Sequence, residues 1–325
     1  VNMNNIRFLT AGESHGKALT GIIEGIPAGL VIDVDYINRQ LARRQKGYGR
    51  GGRMKIESDY AEIYSGVRHG QTLGSPIGLV LLNKDWENWT KKMSVEPVED
   101  KIKKVTLPRP GHADLTGVQK FGFDDIRNVL ERSSARETAM RVALASVCRK
   151  LLKDVGIEVG SRVVQIHSVK DETPFPTDIS PEVLNEMADK SSVRCLNKSS
   201  EEKMIQVINE AKSEGDSVGG VFEVVATGIP YGLGSHTQWD KKLHARIAES
   251  IMSINAFKGI EFGMGFNQAE EFGSNVHDEI GYDGETYTRL SNNAGGIEGG
   301  MSNAQPIVFR AVMKPIPTLI KPLKS

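Results

Sequence analysis

The sequence has few cysteines, no excess of charge of either sign and no long apolar run. Cys148 and Cys195 are the only cysteines among 325 residues, which argues against a disulfide scaffold and favours a reducing compartment, the cytoplasm. Basic and acidic residues each number 41, so the basic excess of a nucleic-acid-binding protein is missing. No apolar run approaches the roughly 18 residues of a membrane span. The N-terminus also lacks the order of a signal peptide. We therefore expect neither a nucleic acid nor a membrane as partner.

Strand-like and helix-like segments are mixed along the chain with no evident linker. Apolar and β-branched residues bounded by Gly or Pro predict strands at residues 5–10, 19–26, 76–83 and 219–229. Caps and apolar residues at helical spacing predict helices over 35–46, from the Ser134–Glu137 capping box to Gly156, after Ser180-Pro181, from a capping box at Ser199–Glu202, and over 240–256. This mixture predicts an α/β or α+β domain of two or three layers.

The segment Gly12-Glu13-Ser14-His15-Gly16 fits the pattern G-x-S-x-G of serine hydrolases. In those enzymes the serine turn leads into a helix, and an earlier strand and loop supply the oxyanion hole. Here a second strand is predicted after the turn, and only eleven residues precede Gly12. A second hypothesis is an anion site with a proton donor, because glycine-flanked amides approach anions closely and histidine donates protons near neutral pH. A tight turn with an exposed histidine is the plain alternative.

Residues 39–55 carry seven basic residues and no acidic one. Flexible Gly-Arg segments bind RNA, but Tyr48 is the only aromatic side chain here that could stack on a base. Arginine also binds phosphate and carboxylate through paired hydrogen bonds, so a small substrate with several negative charges fits the cluster equally well. A solvated basic loop is the third interpretation.

Two further segments combine basic residues with a defined backbone. Residues 107–114 place Arg109 and His112 in a loop stiffened by two prolines, and rigid loops hold catalytic groups well. Residues 132–136, "RSSAR", stand at a predicted helix N-terminus, where free amides bind anions. The structural alternatives are a solvated histidine in the first segment and simple capping by Ser134 in the second.

The C-terminal third contains a glycine-dense stretch at residues 292–304, "NNAGGIEGGMSNA". This composition is unsuited to a helix or a packed strand and predicts a loop, either wrapped around a flat ligand or phosphate or flexible at the surface. Residues 314–318, "KPIPT", close a predicted strand with a lysine and two prolines. No histidine or cysteine spacing specifies a metal, and we predict no metal site.

Taken together, these segments resemble the chorismate synthase family. The pieces run in family order from residue 12 to residue 318: "GESHG", "RRQKGYGRGGRMKIESD", "SGVRHGQTLGSPI", "RPGHADLTGVQKFGFDDIRNVLERSSARETAMRVA", "GDSVGGV", "INAFKGIEFG", "NNAGGIEGGMSN" and "KPIPT". Each piece is weak alone, but eight in order cover nearly the whole chain and are specific. The hydrolase and RNA-binding hypotheses stay as competitors.

The resemblance implies a reaction, a fold and an assembly. The family converts 5-enolpyruvylshikimate 3-phosphate to chorismate by a 1,4-elimination of phosphate that requires reduced FMN, with no net redox change. The implied fold is α+β, a single large domain over residues 1–325 built as a β-α-β sandwich with helices between two sheets. The implied assembly is a homotetramer. NADPH as flavin reductant and an external flavin reductase are both compatible with the resemblance.

The resemblance also implies roles for individual residues. His15 would protonate the departing phosphate, and His112 would serve the reduced flavin. The residues implied to hold the substrate anions are Ser14, Arg44, Arg50, Arg53, Arg109 and Arg136. In some members the positions of Arg44 and Arg50 are also assigned to a nicotinamide dinucleotide. The residues implied to contact FMN are Arg132, Ser133, Ser134, Asn255, Ala256, Gly299, Lys314, Pro315, Ile316, Pro317 and Thr318.

Two features depart from the family pattern. Family chains continue past "KPIPT" into a segment with an Arg-Ser-Asp motif, whose aspartate is implicated in removing the ring proton. This sequence ends at Ser325 before such a motif, so we expect part of the family's C-terminal segment and of its site to be missing. Gly52 stands where many members have arginine, which removes one expected anion contact.

Overall fold

The computed structural model describes residues 6–49, 58–176 and 178–325. The chain forms two compact units, Val1–Leu151 with Pro317–Ser325 (unit 1) and Leu152–Ile316 (unit 2). Helices and strands are both abundant, and every strand pair in the described ranges is antiparallel. The predicted α+β class is confirmed, whereas a single domain over residues 1–325 stays a prediction.

Unit 1 is built on a four-stranded sheet with the strand order β1-β2-β6-β3. Its strands are β1 Arg7–Ala11, β2 Ala18–Glu24, β3 Ala61–Ser65, β4 Val67–Arg68, β5 Gln71–Thr72 and β6 Ile77–Leu82. Its helices are α1 Val34–Arg44, α2 Asp114–Phe121, α3 Arg127–Leu130 and α4 Thr138–Asp154, of which α4 runs past the boundary between the units.

The core of unit 1 follows from the two-residue period of its strands. Leu19 and Ile23 on β2 are buried, while Ile22 points to the opposite face and is exposed. The buried face packs against apolar residues of α1 and α4, including Leu41 and Leu144. Between them lies Gly21, where a Cβ atom would approach Met140 and Leu144 of α4 to 2.6 and 2.9 Å respectively. The absence of a side chain at this position lets α4 lie directly on the sheet.

Unit 2 is built on a five-stranded sheet with the order β11-β16-β9-β7-β8. A second sheet has the order β10-β15-β14, and β12 pairs with β13. The strands are β7 Glu158–Ile166, β8 Val169–Lys170, β9 Gly220–Thr227, β10 Tyr231–Gly234, β11 Phe257–Phe262, β12 Ile280–Tyr282, β13 Tyr287–Arg289, β14 Ile297–Glu298, β15 Met301–Asn303 and β16 Ile307–Met313. The helices are α5 Pro181–Asp189, α6 Lys198–Ser213, α7 Leu243–Met252 and α8 Gly273–Val276.

Unit 2 has two apolar clusters. The larger includes Ile229, Ile307 and Phe309, with partly buried side chains of α7 packed against it. The smaller joins Val193, Cys195 and Met204 near the start of α6 and along that helix. Both form where one apolar face of a helix or strand meets another, as a layered domain requires.

Most predicted elements are present, and two helix starts differ in detail. The strands at 5–10, 19–26, 76–83 and 219–229 correspond to β1, β2, β6 and β9. Ser180 caps α5 as predicted, its Oγ accepting a hydrogen bond from Val183 N at 3.3 Å. The capping box at Ser199–Glu202 was wrong, because α6 begins earlier and Asn197 Oδ1 accepts from Ser200 N at 3.0 Å. Ser134 caps a 3₁₀ turn, Ala135–Glu137, which precedes α4.

The glycine-dense stretch at 292–304 was predicted to lack strand structure, and that prediction was wrong. It contains β14 and β15, which form a short hairpin with Gly299 and Gly300 at its tip. Both glycines have positive φ values, 58° and 91°, the backbone that a two-residue hairpin turn requires. Glycine therefore serves the turn here without preventing the pairing of the flanking residues.

No helix in the described ranges is both long and apolar enough to cross a membrane.

Candidate active site

The "GESHG" segment forms the turn between β1 and β2. Gly12 has a φ of 101°, and a Cβ there would lie 2.4 Å from Ala18 O, so this turn requires glycine. Ser14 is buried, and its amide donates to Glu131 O at 3.0 Å. The chain continues from the turn into an antiparallel strand rather than a helix. The backbone of a nucleophile elbow is therefore missing, and the serine-hydrolase hypothesis is not supported.

His15 is clamped by the carboxylate of Glu131. His15 Nδ1 lies 2.7 Å from Glu131 Oε2, and the same oxygen accepts from His15 N at 2.9 Å. The other carboxylate oxygen accepts from Arg127 Nη1 at 3.1 Å. The ring of Trp89 lies over the imidazole, with 3.8 Å between the ring centroids. His15 is therefore held both from the edge and from one face.

Glu131 is nearly fully buried, 2% exposed. Burial alone would raise the pKa of this carboxyl, but hydrogen bonds from the His15 side chain and backbone and the charges of His15 and Arg127 outweigh it and leave the pKa below its ordinary value. The group is consequently an ionised carboxylate near neutral pH, able only to accept hydrogen bonds.

Arg136 is connected to the turn that carries His15. Its Nε donates to Asn83 Oδ1 at 3.1 Å, and Asn83 Nδ2 donates to the carbonyl oxygens of Glu13 and Gly16 at 3.2 and 2.6 Å. Its Nη1 lies 2.5 Å from Asp59 Oδ1, a carboxylate that is 6% exposed. One buried asparagine thus fixes both the turn and the predicted anion-binding arginine.

Arg44 shares the carboxylate of Asp59 with Arg136. Its Nη1 lies 3.6 Å from Asp59 Oδ2, and its Nη2 donates to Thr138 Oγ1 at 2.9 Å and Ala135 O at 3.0 Å. The structure therefore brings Arg44 and Arg136 together around one negative charge. Arg50 and Arg53, together with Gly52, lie outside the described residues.

The "RSSAR" segment is tied to the same turn. Arg132 Nη2 donates to Thr10 O at 2.7 Å and its Nη1 to Gly12 O at 3.2 Å. Ser134 Oγ donates to Ser14 Oγ at 3.2 Å and accepts from the Arg136 amide at 3.3 Å. Ser133 Oγ donates to the carbonyl of Val129 at 2.8 Å. The Arg132 guanidinium and the hydroxyls of Ser14 and Ser134, each hydrogen-bonded to a residue 120 or more positions away in sequence, are thereby gathered at the turn between β1 and β2.

A second histidine and carboxylate pair occurs at the start of α2. His112 Nδ1 lies 2.5 Å from Asp114 Oδ1. Asp114 is 1% exposed and also accepts from Arg109 N at 3.0 Å and Arg109 Nε at 2.8 Å. Arg109 Nη1 in turn donates to Thr318 Oγ1 at 3.2 Å. His112, Arg109 and Thr318, all predicted site residues, are thus assembled within unit 1.

Most of the predicted FMN contacts of unit 2 lie at one end of β11 and β16. Lys314 N donates to Ala256 O at 3.0 Å, directly after Asn255. Ala256 has a φ of 74°, a left-handed conformation that costs about 1 kcal/mol or more for a residue other than glycine. Ile316 O accepts from Ser217 Oγ at 2.7 Å, which anchors the segment after Pro315. Gly299 lies at the tip of the β14–β15 hairpin, and Pro317 belongs to unit 1.

A family model described as chorismate synthase matches residues 6–325. The chain belongs to the chorismate synthase family. A chorismate synthase of Enterococcus faecalis is 57% identical over 324 residues, which cover 98% of this chain and 83% of that protein. Chorismate synthase 2 of Bacillus cereus is 55% identical over 326 residues with the same two shares. A crystal structure of a chorismate synthase is 46% identical, with a TM-score of 0.81 over 97% of this chain and 86% of that one.

Chorismate synthases are lyases of the shikimate pathway, which leads to the aromatic amino acids, and the family assignment makes this chain an enzyme of that class. The family and the fold confirm the predicted resemblance and leave the RNA-binding and hydrolase hypotheses without support. In the described ranges, no group of three His, Cys, Asp or Glu side chains is arranged to hold a metal ion.

The sequence patterns of this chorismate synthase family member do not indicate the groups that hold the predicted residues. Asp114 could have been noticed, since it follows His112 by two residues at a predicted anion site. Asn83 carries no local signal, because it binds residues more than fifty positions away. Asp59 binds Arg136, 77 positions later, as well as Arg44. Glu131 precedes "RSSAR" but binds a histidine 116 residues distant, which no spacing rule reveals.

Proposed function

We propose that the chain converts 5-enolpyruvylshikimate 3-phosphate to chorismate by eliminating phosphate, with His15 as the general acid. The observation that carries the proposal is the contact of His15 Nδ1 with the buried Glu131, in a turn that Asn83 joins to Arg136. A proton donor and a guanidinium group on one hydrogen-bonded frame suit a phosphate leaving group, which needs both charge and a proton.

The substrate has a phosphate and two carboxylates, and the arginines offer matching donors. Arg44 and Arg136 share a single carboxylate, Asp59, so the trio has a net positive charge. Ser14 and Ser134 supply hydroxyls beside it. Arg109 is the corresponding donor next to His112. Arg50 and Arg53 remain proposed substrate contacts from the family pattern.

Reduced FMN, when bound, would lend electron density to the reacting ring and take it back, so that no net oxidation results. In unit 1 the residues proposed to face the flavin are His112, Arg132, Ser133, Ser134, Pro317 and Thr318. In unit 2 they are Asn255, Ala256, Gly299, Lys314, Pro315 and Ile316.

The residues present fit such a cofactor, each unit being considered by itself. Hydroxyls, a lysine and backbone amides are the donors that a flavin phosphate requires. An ideal Cβ at Gly299 meets no atom within 4 Å, so the space beside that backbone is open. The strained Ala256 corner is fixed by the amide of Lys314, as expected of a backbone that holds a ligand. The protein's part is to bind, orient and supply the proton at His15.

The proposal extends to the setting of the enzyme. The family pattern supports a homotetramer, and the two free thiols fit a cytoplasmic location. NADPH and a separate reductase are the two candidate sources of electrons for the flavin. Anaerobic mixing of the chain with oxidised FMN and NADPH separates them, because flavin bleaching without added reductase requires an internal nicotinamide site.

The deciding experiment is an anaerobic assay with dithionite-reduced FMN and 5-enolpyruvylshikimate 3-phosphate. We expect equal amounts of chorismate, followed by absorbance, and of released phosphate. Oxidised FMN serves as the control and should give neither product. A folded sample of the full-length protein that releases phosphate without chorismate, or releases nothing, refutes the proposed function.

A further inference from the structure

Glu131 contacts the His15 turn through both its backbone and its side chain. Its backbone carbonyl accepts from Ser14 N, and its carboxylate accepts from both the amide and the ring Nδ1 of His15. The backbone contact alone would hold the turn against α3. The two carboxylate contacts act on the histidine itself and define where its ring lies.

The contact with Glu131 determines which of the two imidazole nitrogens donates its hydrogen to the carboxylate and which is left to act on the substrate. An ionised carboxylate accepts hydrogen bonds and cannot donate them. At 2.7 Å from Glu131 Oε2, Nδ1 must therefore carry a hydrogen. Transfer of a proton to a substrate then uses the other ring nitrogen, Nε2. A carboxylate on Nδ1 that sets the tautomer and orientation of a catalytic imidazole is a recurrent arrangement in enzymes.

The surroundings keep the carboxylate and the ring in place. Arg127 binds the second carboxylate oxygen from four residues earlier, at the start of α3, and its guanidinium carbon lies 5.3 Å from the Trp89 ring centroid. Lys92 lies 4.9 Å from the same centroid. Trp89 Nε1 donates to Asp85 Oδ2 at 2.8 Å, which fixes the indole against His15. Of the charged groups named here, Glu131 contacts the imidazole directly, whereas Arg127 and Lys92 lie over the ring of Trp89.

We propose that Glu131 is a positioning residue of this enzyme, which holds the His15 ring through Nδ1 so that Nε2 delivers the proton to the departing phosphate. The inference rests on the proposed function of His15. In the step, the Nε2–H bond breaks and an O–H bond forms on the phosphate oxygen. That oxygen keeps the electron pair of the broken C–O bond. The imidazolium becomes neutral imidazole, and Glu131 remains a carboxylate.

The test compares Glu131→Gln, Glu131→Asp and the matched control Glu137→Gln. Glu137 is also buried and also pairs with an arginine four residues away, but its carboxylate binds Thr10 and Arg141. We expect Glu131→Gln to lower kcat by roughly 10- to 100-fold, part of the 10²–10⁴ that a general acid supplies. KM should change by less than about threefold, because substrate contacts are intact. Glu137→Gln should keep kcat within about threefold of wild type.

A pH profile separates positioning from simple structural support. The general acid must be protonated, so kcat falls as pH rises. Because the negative charge of Glu131 lies against Nδ1, its loss should move this basic limb toward lower pH. Glu131→Asp restores the charge and should restore the position of the limb. Replacing Trp86 and Trp239 by Phe leaves Trp89 as the only tryptophan of the chain. Its fluorescence then reports the protonation of His15 without turnover, because an imidazolium ring quenches the indole that it contacts.

Each outcome bears on one of the two proposals. A wild-type protein without turnover contradicts the proposed function. The pH dependence of Trp89 fluorescence still tests the contact between His15 and Glu131 in that case. Active wild type with a Glu131→Gln variant of unchanged kcat and unchanged pH limb overturns the positioning role. An equal loss of kcat in Glu131→Gln and Glu137→Gln, with equal loss of folding stability, also overturns it.

Discussion

Replacement of Asp114 by Asn should destabilise the protein more than its single-atom change suggests. Both carboxylate oxygens are used: Oδ2 accepts from Arg109 N and Nε, and Oδ1 accepts from His112 Nδ1 and from Arg109 Nη2 at 3.2 Å. Asparagine keeps one acceptor oxygen, but its amide nitrogen must then face one of these donor pairs. The site is 1% exposed, so water cannot replace the lost acceptor.

The expected cost follows from the contacts that are lost. A hydrogen bond to a charged group contributes about 1.5–3 kcal/mol, and a buried donor without an acceptor costs about 1–3 kcal/mol. Arg109 stays about one-third exposed and recovers part of this through water. We therefore expect Asp114→Asn to lower the free energy of unfolding at pH 7 by about 2–4 kcal/mol.

The stability difference between wild type and Asp114→Asn should depend on pH in a definite direction. Burial acts to raise the pKa of Asp114, but hydrogen bonds from Arg109 and the charge and hydrogen bond of His112 hold it below its ordinary value. A folded-state pKa below the unfolded one means that the carboxylate contributes its stability above about pH 4 and loses it as the pH falls through the folded value. The gap between wild type and Asp114→Asn should therefore narrow in acid.

Urea denaturation of both proteins at neutral and acidic pH measures this gap. The matched control is Asp124→Asn, ten residues away, whose carboxylate pairs with Lys104 at the surface and should cause no measurable change. Equal stability of Asp114→Asn and Asp124→Asn at pH 7 would refute the argument. The argument would also be refuted if the difference in unfolding free energy between wild type and Asp114→Asn stayed the same at a pH below the ordinary pKa of aspartate.

Three further predictions test the acid–base residues, the core and the thiols. His15→Ala and His112→Ala should each lower turnover in steady-state assays by about 10²–10⁴. The control His167→Ala, at an exposed turn, should keep turnover within about threefold of wild type, and equal activity of all three variants contradicts the assignments. Gly21→Ala should cost about 1–3 kcal/mol in urea denaturation, because the new methyl group meets α4 at 2.6 Å. Burial raises the pKa of the Cys195 thiol, so a thiol reagent should modify it slowly until urea unfolds the chain, and rapid native labelling would show that this region opens.

Local sequence signals predicted the elements near the site wherever one period dominated. The strand after "GESHG" is present because Leu19 and Ile23 bury one face with a two-residue period. The start of α5 followed from Ser180 before a proline. The start of α6 did not follow from Ser199, because Asn197 caps equally well two residues earlier and local signals cannot rank the two. The strands in the glycine-dense stretch at 292–304 were not predicted for a related reason, because glycine both weakens strands and forms hairpin turns.

The sequence by itself determined the family, the strand–turn–strand backbone around His15 and the residue types that could bind a phosphate. Only the tertiary structure decided which groups act on those residues. Glu131 reaches His15 across 116 positions, and Asn83 joins residues 67 and 53 positions away. Such pairs depend on how β2, β6 and the segment after α3 come together, and long-range packing leaves no period in the sequence that would reveal it. The orientation of the His15 imidazole is therefore a property of the folded chain, set by the Glu131 carboxylate, which lies outside the "GESHG" segment.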